Sequence, residues 1–113
     1  MKYNPVYLAS AQSDINEAVT YIAKILQNPT AAGRLIDAVD EKVNKLSNGI
    51  WRGNSLQSHS SGFFKNIDMN WIKVKNYYLF FRFDEKDRTI RIYHFSHKLR
   101  GLDHILNGPE LED

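Results

Sequence analysis

Ten side chains in the second half of the chain combine positive charge, aromatic rings and an imidazole at strand-like spacing. Side chains alternate between the two faces of a strand, so residues two apart share a face. Three β-rich runs, at 69–75, 77–84 and 89–96, each place an apolar set opposite a basic or aromatic one. The second set is Trp71, Lys73, Lys75, Tyr78, Phe80, Arg82, Arg91, Tyr93, Phe95 and His97, with Lys98 and Arg100 just beyond. Alternation therefore predicts one basic, aromatic face.

Two interpretations of this face stay open. It could stack bases and bind phosphates, with His97 or Tyr93 placed for proton transfer. Alternatively, the rings simply cover the sheet and pack against the C-terminal segment or a partner, while the Lys and Arg stems lie along them. The assignment depends on register, because a shift of one residue exchanges the two faces.

Composition excludes several classes of protein. A chain of 113 residues is long enough for one core, so we expect a single domain over 1–106 and an acidic, disordered tail over 107–113. With no Cys, disulfides, thiolate zinc sites, iron–sulfur clusters and cysteine nucleophiles are excluded. No stretch predicts a signal peptide or a membrane span, and we expect a cytoplasmic protein.

The net charge of +2 is unevenly distributed. Residues 1–49 are neutral, residues 50–106 hold ten basic and five acidic residues, and residues 107–113 carry a charge of −3. All four His and 11 of the 14 aromatic residues lie in the middle segment. The second half is therefore where the sequence indicates function.

Other candidate sites are weaker. His94, His97 and His104 lack a metal-ligand spacing, so we expect no metal and no cofactor. Ser58 and His59 are neighbours in a Ser-rich loop and do not make a triad by adjacency. The carboxylates at 84–87 are explained by a charged turn.

The elements that must position the face form an α+β pattern. A short strand is predicted over Tyr3–Ala9, followed by a helix from about Ala11 that Ser10 or Ser13 could cap. Asn28-Pro29 predicts the start of a second, antiparallel helix. The apolar stripes of the helices are Ile15, Val19, Ile22 and Leu26, then Leu35, Ile36, Val39, Val43 and Leu46.

The rest of the chain is predicted as loop and sheet. Residues 47–62 have the composition of a loop, and residues 84–88 join the last two strands as a charged hairpin. We therefore predict an N-terminal strand, a two-helix hairpin, a three-stranded mostly antiparallel sheet and a short C-terminal helix.

The order of several short motifs resembles the RelE/ParE superfamily of toxin–antitoxin toxins. The second half contains Asn76–Glu85, a Tyr-rich strand ending in an acidic turn, then Thr89–Tyr93, then the His-x-x-Arg of His97–Leu106. In the first half, Ser10 and Asp14 open helix one, Tyr21-Ile22-Ala23 comes next, and Asn28-Pro29-x-Ala31-Ala32 opens helix two. The resemblance covers about residues 3–106.

The resemblance implies a growth-inhibiting toxin of a plasmid-stabilisation or addiction module that a cognate antitoxin neutralises. It is compatible with a homodimer or a toxin–antitoxin hetero-oligomer. Of its two branches we favour the ParE-like one, which implies inhibition of DNA gyrase. The long helix hairpin, the Asn-Pro-x-Ala-Ala start and the His-x-x-Arg ending are similar to that branch, although Met69-Asn70 stands where it usually has an Arg.

The alternative branch resembles RelE-like ribosome-dependent mRNA endonucleases (mRNA interferases). In that case Lys73, Lys75 and Arg100 would match its basic residues, and His97 or Tyr93 would supply the proton, with His104 a further substitute. Tyr78 and Leu106 stand where that branch has an Arg and a Tyr. A third alternative is a degenerate module that binds an antitoxin without toxicity.

Overall fold

The computed structural model describes residues 2–55 and 69–97. These form a five-stranded sheet in the order β1-β5-β4-β3-β2, with two helices packed on one face, and the predicted α+β class is confirmed. The elements are β1 Asn4–Tyr7, α1 Ala9–Thr20, a π-helical turn Tyr21–Ile25, α2 Pro29–Ser47, β2 Asn54–Ser55, β3 Asn70–Val74, β4 Tyr77–Asp84 and β5 Thr89–His97. The predicted C-terminal helix and acidic tail lie outside the described residues.

The sheet is mostly antiparallel, as predicted, but four strands rather than the predicted three follow the helices, because β2 forms inside the stretch 47–62 that is predicted as loop. Strands β2, β3, β4 and β5 pair antiparallel in turn, and β1 pairs parallel with β5. The charged hairpin between β4 and β5 is confirmed. Asp84 Oδ1 accepts hydrogen bonds from the N–H groups of Lys86 at 3.0 Å and Asp87 at 3.1 Å, which fixes the turn.

One helix cap agrees with the prediction and the other does not. Asn28 caps α2, because its Oδ1 accepts from the Ala31 N–H at 3.1 Å and Pro29 takes the first helical position. The predicted Ser cap of α1 is wrong: Leu8 precedes the helix without a side-chain cap. Ser10 instead donates to the Tyr93 carbonyl oxygen at 2.6 Å.

The π-helical turn after α1 changes the predicted apolar stripe. A π-turn adds a residue to the repeat and rotates the subsequent residues around the helix axis. Ile15, Val19 and Ile22 pack against the core as predicted, but Leu26 is 55% exposed. The stripe therefore ends one turn earlier than its spacing indicates.

Helix α1 continues the pairing of β5 where β1 stops. The Leu8 N–H donates to the Ile92 carbonyl at 3.0 Å, and Ser10 then bonds to Tyr93. Asp14 Oδ2 accepts from the Phe95 N–H at 3.1 Å. Backbone groups along this edge of β5 are thus satisfied by side chains once the parallel strand has ended.

The core lies between the helices and one face of the sheet. The helices contribute Ala11, Ala18, Leu35, Val39, Val43 and Leu46, and the strands contribute Ile72, Val74, Leu79, Phe81, Ile90, Ile92 and Phe95. The apolar set that alternation assigns to β3 and β4 is on this face. None of the described helices is both long and apolar enough to cross a membrane.

A β-bulge in β5 interrupts the alternation. Phe81 is opposite Ile92 and Phe80 is opposite His94, so Tyr93 has no counterpart in the register. The extra residue reverses the sides of all later residues in β5. Phe95 consequently lies opposite Leu79 and in the core.

Gly53, in the loop before β2, lies close against the core. Its φ of +73° is one that side chains rarely adopt. A Cβ at this position would lie 2.7 Å from Ile72 Cγ2 and 2.8 Å from Phe81 Cζ. Both neighbours are fully buried, so neither can move away without disturbing the core.

We expect Gly53→Ala to destabilise the protein by about 2 kcal/mol or more, from backbone strain and overpacking together. The matched control is Gly33→Ala, in α2, where a Cβ meets nothing within 4 Å. Loss of backbone entropy in the unfolded chain should make that variant about 0.5–1 kcal/mol more stable. Urea unfolding measures both, and equal stability of the two variants would contradict the packing described for Gly53.

Candidate functional site

The sheet face turned away from the helices collects a basic and aromatic set of side chains. Register places Trp71 opposite Phe80, Lys73 opposite Tyr78 and Arg82 opposite Arg91. We call this the outer face; its described members in β3, β4 and β5 include Trp71, Lys73, Tyr78, Phe80, Arg82, Arg91 and His94. Alternation assigns six of these to the face, and their role in binding stays a prediction.

The outer face is accessible around Lys73. Trp71 and Tyr78 are half-buried and meet edge to face, with ring centroids 5.4 Å apart and planes at 90°. Lys73 is exposed and lies opposite Tyr78. Phe80, by contrast, is only 4% exposed and cannot offer its ring to a base or a partner without rearrangement.

Arg91 is held within the β4–β5 hairpin. Its guanidinium pairs with the Asp84 carboxylate and donates to Asp87 Oδ2 at 3.1 Å. The hydrogen bond from Arg91 is the main cause that lowers the pKa of Asp84 and, reciprocally, raises the pKa of Arg91. Its charge therefore stabilises the turn.

Two predicted members of the face lie on the helix side instead. The bulge places Phe95, 4% exposed, in the core, and His97 opposite Tyr77. Tyr77 stacks on Phe95 with centroids 4.6 Å apart and planes at 8°, and meets His97 edge-on at 5.0 Å. Burial is the main cause that raises the pKa of Tyr77. The predicted orientation of Phe95 and His97 is wrong, because strict alternation does not survive the bulge.

Lys75 and Tyr93 also depart from a regular strand face. Lys75 lies beyond β3 in the tight turn to β4, with a φ of 56°, and is exposed. Tyr93 is the extra residue of the bulge. Lys98, Arg100 and His104 lie outside the described residues.

The four residues proposed for nuclease chemistry are therefore not gathered on one face. Lys73 is on the outer face, His97 is on the helix side and Tyr93 is at the bulge. Arg100 is outside the described residues. General acid–base catalysis requires the proton donor and the phosphate-binding cation to reach one substrate. Lys73 and His97 do not meet that requirement across the sheet.

His94 lies on the outer face, where alternation predicts Tyr93 and Phe95 instead. It is exposed, opposite Phe80, and its Nδ1 lies 3.5 Å from Asp14 Oδ2. The sequence does carry a signal for this: apolar residues at 90, 92 and 95 are spaced two and then three apart. A step of three inside a strand is typical of a bulge.

A polar network at the β4–β5 hairpin was not predicted. The Tyr3 hydroxyl donates to Glu85 Oε1 at 2.7 Å, and Arg52 Nη2 donates to Glu85 Oε2 at 2.6 Å. Arg88 Nη1 donates to Glu85 Oε1 at 3.0 Å. We call Tyr3, Arg52, Glu85 and Arg88 the Tyr3 clamp. It ties the residue before β1, the loop after α2 and the hairpin together at one end of the sheet.

Aromatic rings support the cations of the clamp. The guanidinium carbon of Arg52 lies 4.0 Å from the Phe83 ring centre, and that of Arg88 lies 4.2 Å from the Tyr3 ring centre. Hydrogen bonds from Tyr3 and then Arg52 lower the pKa of Glu85. Hydrogen bonds to Tyr3 and then Glu85 raise the pKa of Arg52. Arg52 and Arg88 therefore hold the hairpin, as Arg91 does, and these are three of the ten basic residues of the second half.

Among residues 2–55 and 69–97, no three His, Asp or Glu side chains form a group that could hold a metal ion.

Comparison with known families decides the family. A family model described as the ParE toxin of the type II toxin–antitoxin system, parDE, matches residues 6–101. The chain belongs to the ParE toxin family. The matched range contains the outer face, Arg52, Glu85 and Arg88, while Tyr3 precedes it.

A solved structure agrees with this ParE family fold. A chain of the toxin–antitoxin complex RelBE2 from Mycobacterium tuberculosis is similar, with a TM-score of 0.54 at 11% identity. The match covers 86% of this chain and 99% of that one. At this identity the likeness concerns the fold. No curated protein matches the sequence.

The clamp of this ParE family member makes stability depend on pH. The folded-state pKa of Glu85 is lowered from its ordinary 4.5, so its contribution is complete above that pH and is lost as the pH falls through the lowered value. We expect Glu85→Gln to lower the urea midpoint near pH 7 and to make its decline in acid shallower.

The control for this prediction is Lys86→Gln, the next residue in the same exposed turn. Its side chain makes no ion pair with another described residue. It should have the wild-type acid profile. Equal acid declines for wild type and Glu85→Gln would show that the clamp does not stabilise the fold.

Proposed function

We propose that this ParE family chain inhibits bacterial growth by acting on DNA gyrase and that a cognate antitoxin neutralises it. The observation that carries the proposal is the family match over residues 6–101. The named solved neighbour is itself a chain of a toxin–antitoxin complex, which supports a protein partner here. Gyrase acts on DNA inside the cell, so the proposal places the protein in the cytoplasm.

The arrangement of the site supports action by binding. A nuclease needs its cation and proton donor on one side of the substrate, and the sheet separates Lys73 from His97. The positions Tyr78 and Leu106 also differ from the Arg and Tyr that the endonuclease branch implies. An inhibitor that works by occupying its target needs no such pair.

The accessible part of the outer face has the composition of a binding surface. Trp and Tyr side chains with a neighbouring cation often contribute most to affinity at protein interfaces. Trp71 and Tyr78 hold each other in a fixed orientation, which lowers the entropy lost on binding. Exposed Lys73 beside them would favour an acidic surface or a nucleic-acid backbone on the target.

One observation favours the RelE-like endonuclease as a second candidate. His94 is exposed on the outer face and lies 3.5 Å from the Asp14 carboxylate, an arrangement that can orient an imidazole for proton transfer. In that case His94, rather than His97, would be the proton donor, and Lys73 would contact the phosphate.

The test is expression in bacteria with and without the antitoxin encoded beside it, and then assays on purified protein. We expect growth arrest that the antitoxin reverses, inhibition of gyrase supercoiling and intact transcripts. Lys73→Glu should raise the concentration for half-inhibition of supercoiling about tenfold, by removing a central interface cation. The matched control is Arg34→Glu, exposed on α2, which should inhibit like wild type.

Other outcomes would overturn the proposal. Transcript cleavage at ribosomes that His94→Ala abolishes, with supercoiling unaffected, would assign the endonuclease function. Stable antitoxin binding without growth arrest would assign a degenerate binding module. Growth arrest with neither gyrase inhibition nor transcript cleavage would place the target elsewhere.

A further inference from the structure

A second surface, distinct from the outer face, lies where α2 ends. It is a hollow of about 440 Å³. We call it the α2 hollow; its lining residues are Lys42, Lys45, Asn48, Ile50 and Trp51. The proposed function does not use any of them.

The α2 hollow exposes apolar surface that the fold does not explain. Ile50 is 87% exposed, the highest value among the large hydrophobic residues that the structure describes as exposed. The adjoining Trp51 is also exposed, and Lys42 Nζ lies 5.5 Å from its ring centre. Lysines near a helix C-terminus are expected, because they complement the helix dipole. An almost fully exposed Ile side chain and a partly exposed indole beside them are not.

The positive charge around the hollow indicates what kind of ligand it could bind. Lys45 is exposed and makes no ion pair with another residue of the described ranges. Lys42 lies over Trp51, so cationic and apolar groups share one site. An acidic peptide with an apolar side chain complements both. A nucleic acid fits less well, since Ile50 offers no polar contact and the Trp51 ring already carries a cation.

We propose that the α2 hollow binds an acidic segment of the antitoxin and takes up one of its apolar side chains next to Ile50. The proposal rests on the proposed function, because it needs an antitoxin. Of the two proposed partners, the antitoxin has the support of the similar solved structure, which is a toxin–antitoxin complex, whereas nothing comparable supports a lasting complex with gyrase. It is therefore the partner that best removes the cost of exposing Ile50.

The experiment measures antitoxin affinity by calorimetry, with the full-length chain and the full-length antitoxin encoded beside it. Ile50→Ser should weaken binding about tenfold or more, from the lost apolar burial. Lys45→Glu should weaken it at low salt and reduce the salt dependence of the affinity.

Matched controls are Ile25→Ser and Lys24→Glu. Both residues are exposed in the π-helical turn, with Ile25 at 67%, and neither lines the hollow. They should bind the antitoxin like wild type. Circular dichroism and the urea midpoint confirm that each variant is folded before its affinity is compared.

Wild-type affinity in both Ile50→Ser and Lys45→Glu, with growth arrest still reversed by the antitoxin, would overturn the inference and leave the proposed function intact. An antitoxin that binds neither wild type nor variants would overturn both. If a single-stranded DNA oligonucleotide binds wild type and both control variants but not Ile50→Ser or Lys45→Glu, the site would be assigned to nucleic acid. Tighter antitoxin binding by the triple variant Glu110→Gln, Glu112→Gln, Asp113→Asn would assign it to the chain's own tail.

Discussion

The register of β5 is the constraint on which the rest of the structure depends. This strand pairs with β4 on one edge, and with β1 and then α1 on the other. The bulge at Tyr93 decides which later side chains reach each face. Phe95 joins the core and His94 moves to the outer face. The chemistry available on the sheet therefore depends on a single extra residue.

Local signals predicted much of the fold correctly. Strand β4 has the predicted bounds, and the Asn28-Pro29 start of α2 is formed as its sequence indicates. The sequence signals for these features come from residues that are close together in the chain. The Ser cap of α1 failed because Ser10 finds a partner 83 positions away on β5. The end of the first apolar stripe failed because a π-helical turn changes the helical repeat.

The candidate site was predicted only in part, because alternation within a strand does not show a bulge or a contact between distant residues. Alternation placed Trp71, Lys73 and Tyr78 together, since β3 and β4 pair without interruption. It could not place His97, which comes after the bulge. The Tyr3 clamp joins Tyr3 to Glu85 across 82 positions, a contact that depends on the parallel pairing of β1 with β5. The basic excess of the second half is thereby divided between holding a hairpin and facing solvent.

The bulge, and not strict alternation, sets the register of β5 and with it the membership of the outer face. Cross-strand nuclear Overhauser effects between the backbone protons of β4 and β5 test this most directly. We expect them to pair Phe95 with Leu79 and His94 with Phe80. Pairing of Phe95 with Tyr78 and of Tyr93 with Phe80 would contradict the bulge and would return His97 to the outer face, the face that carries Lys73.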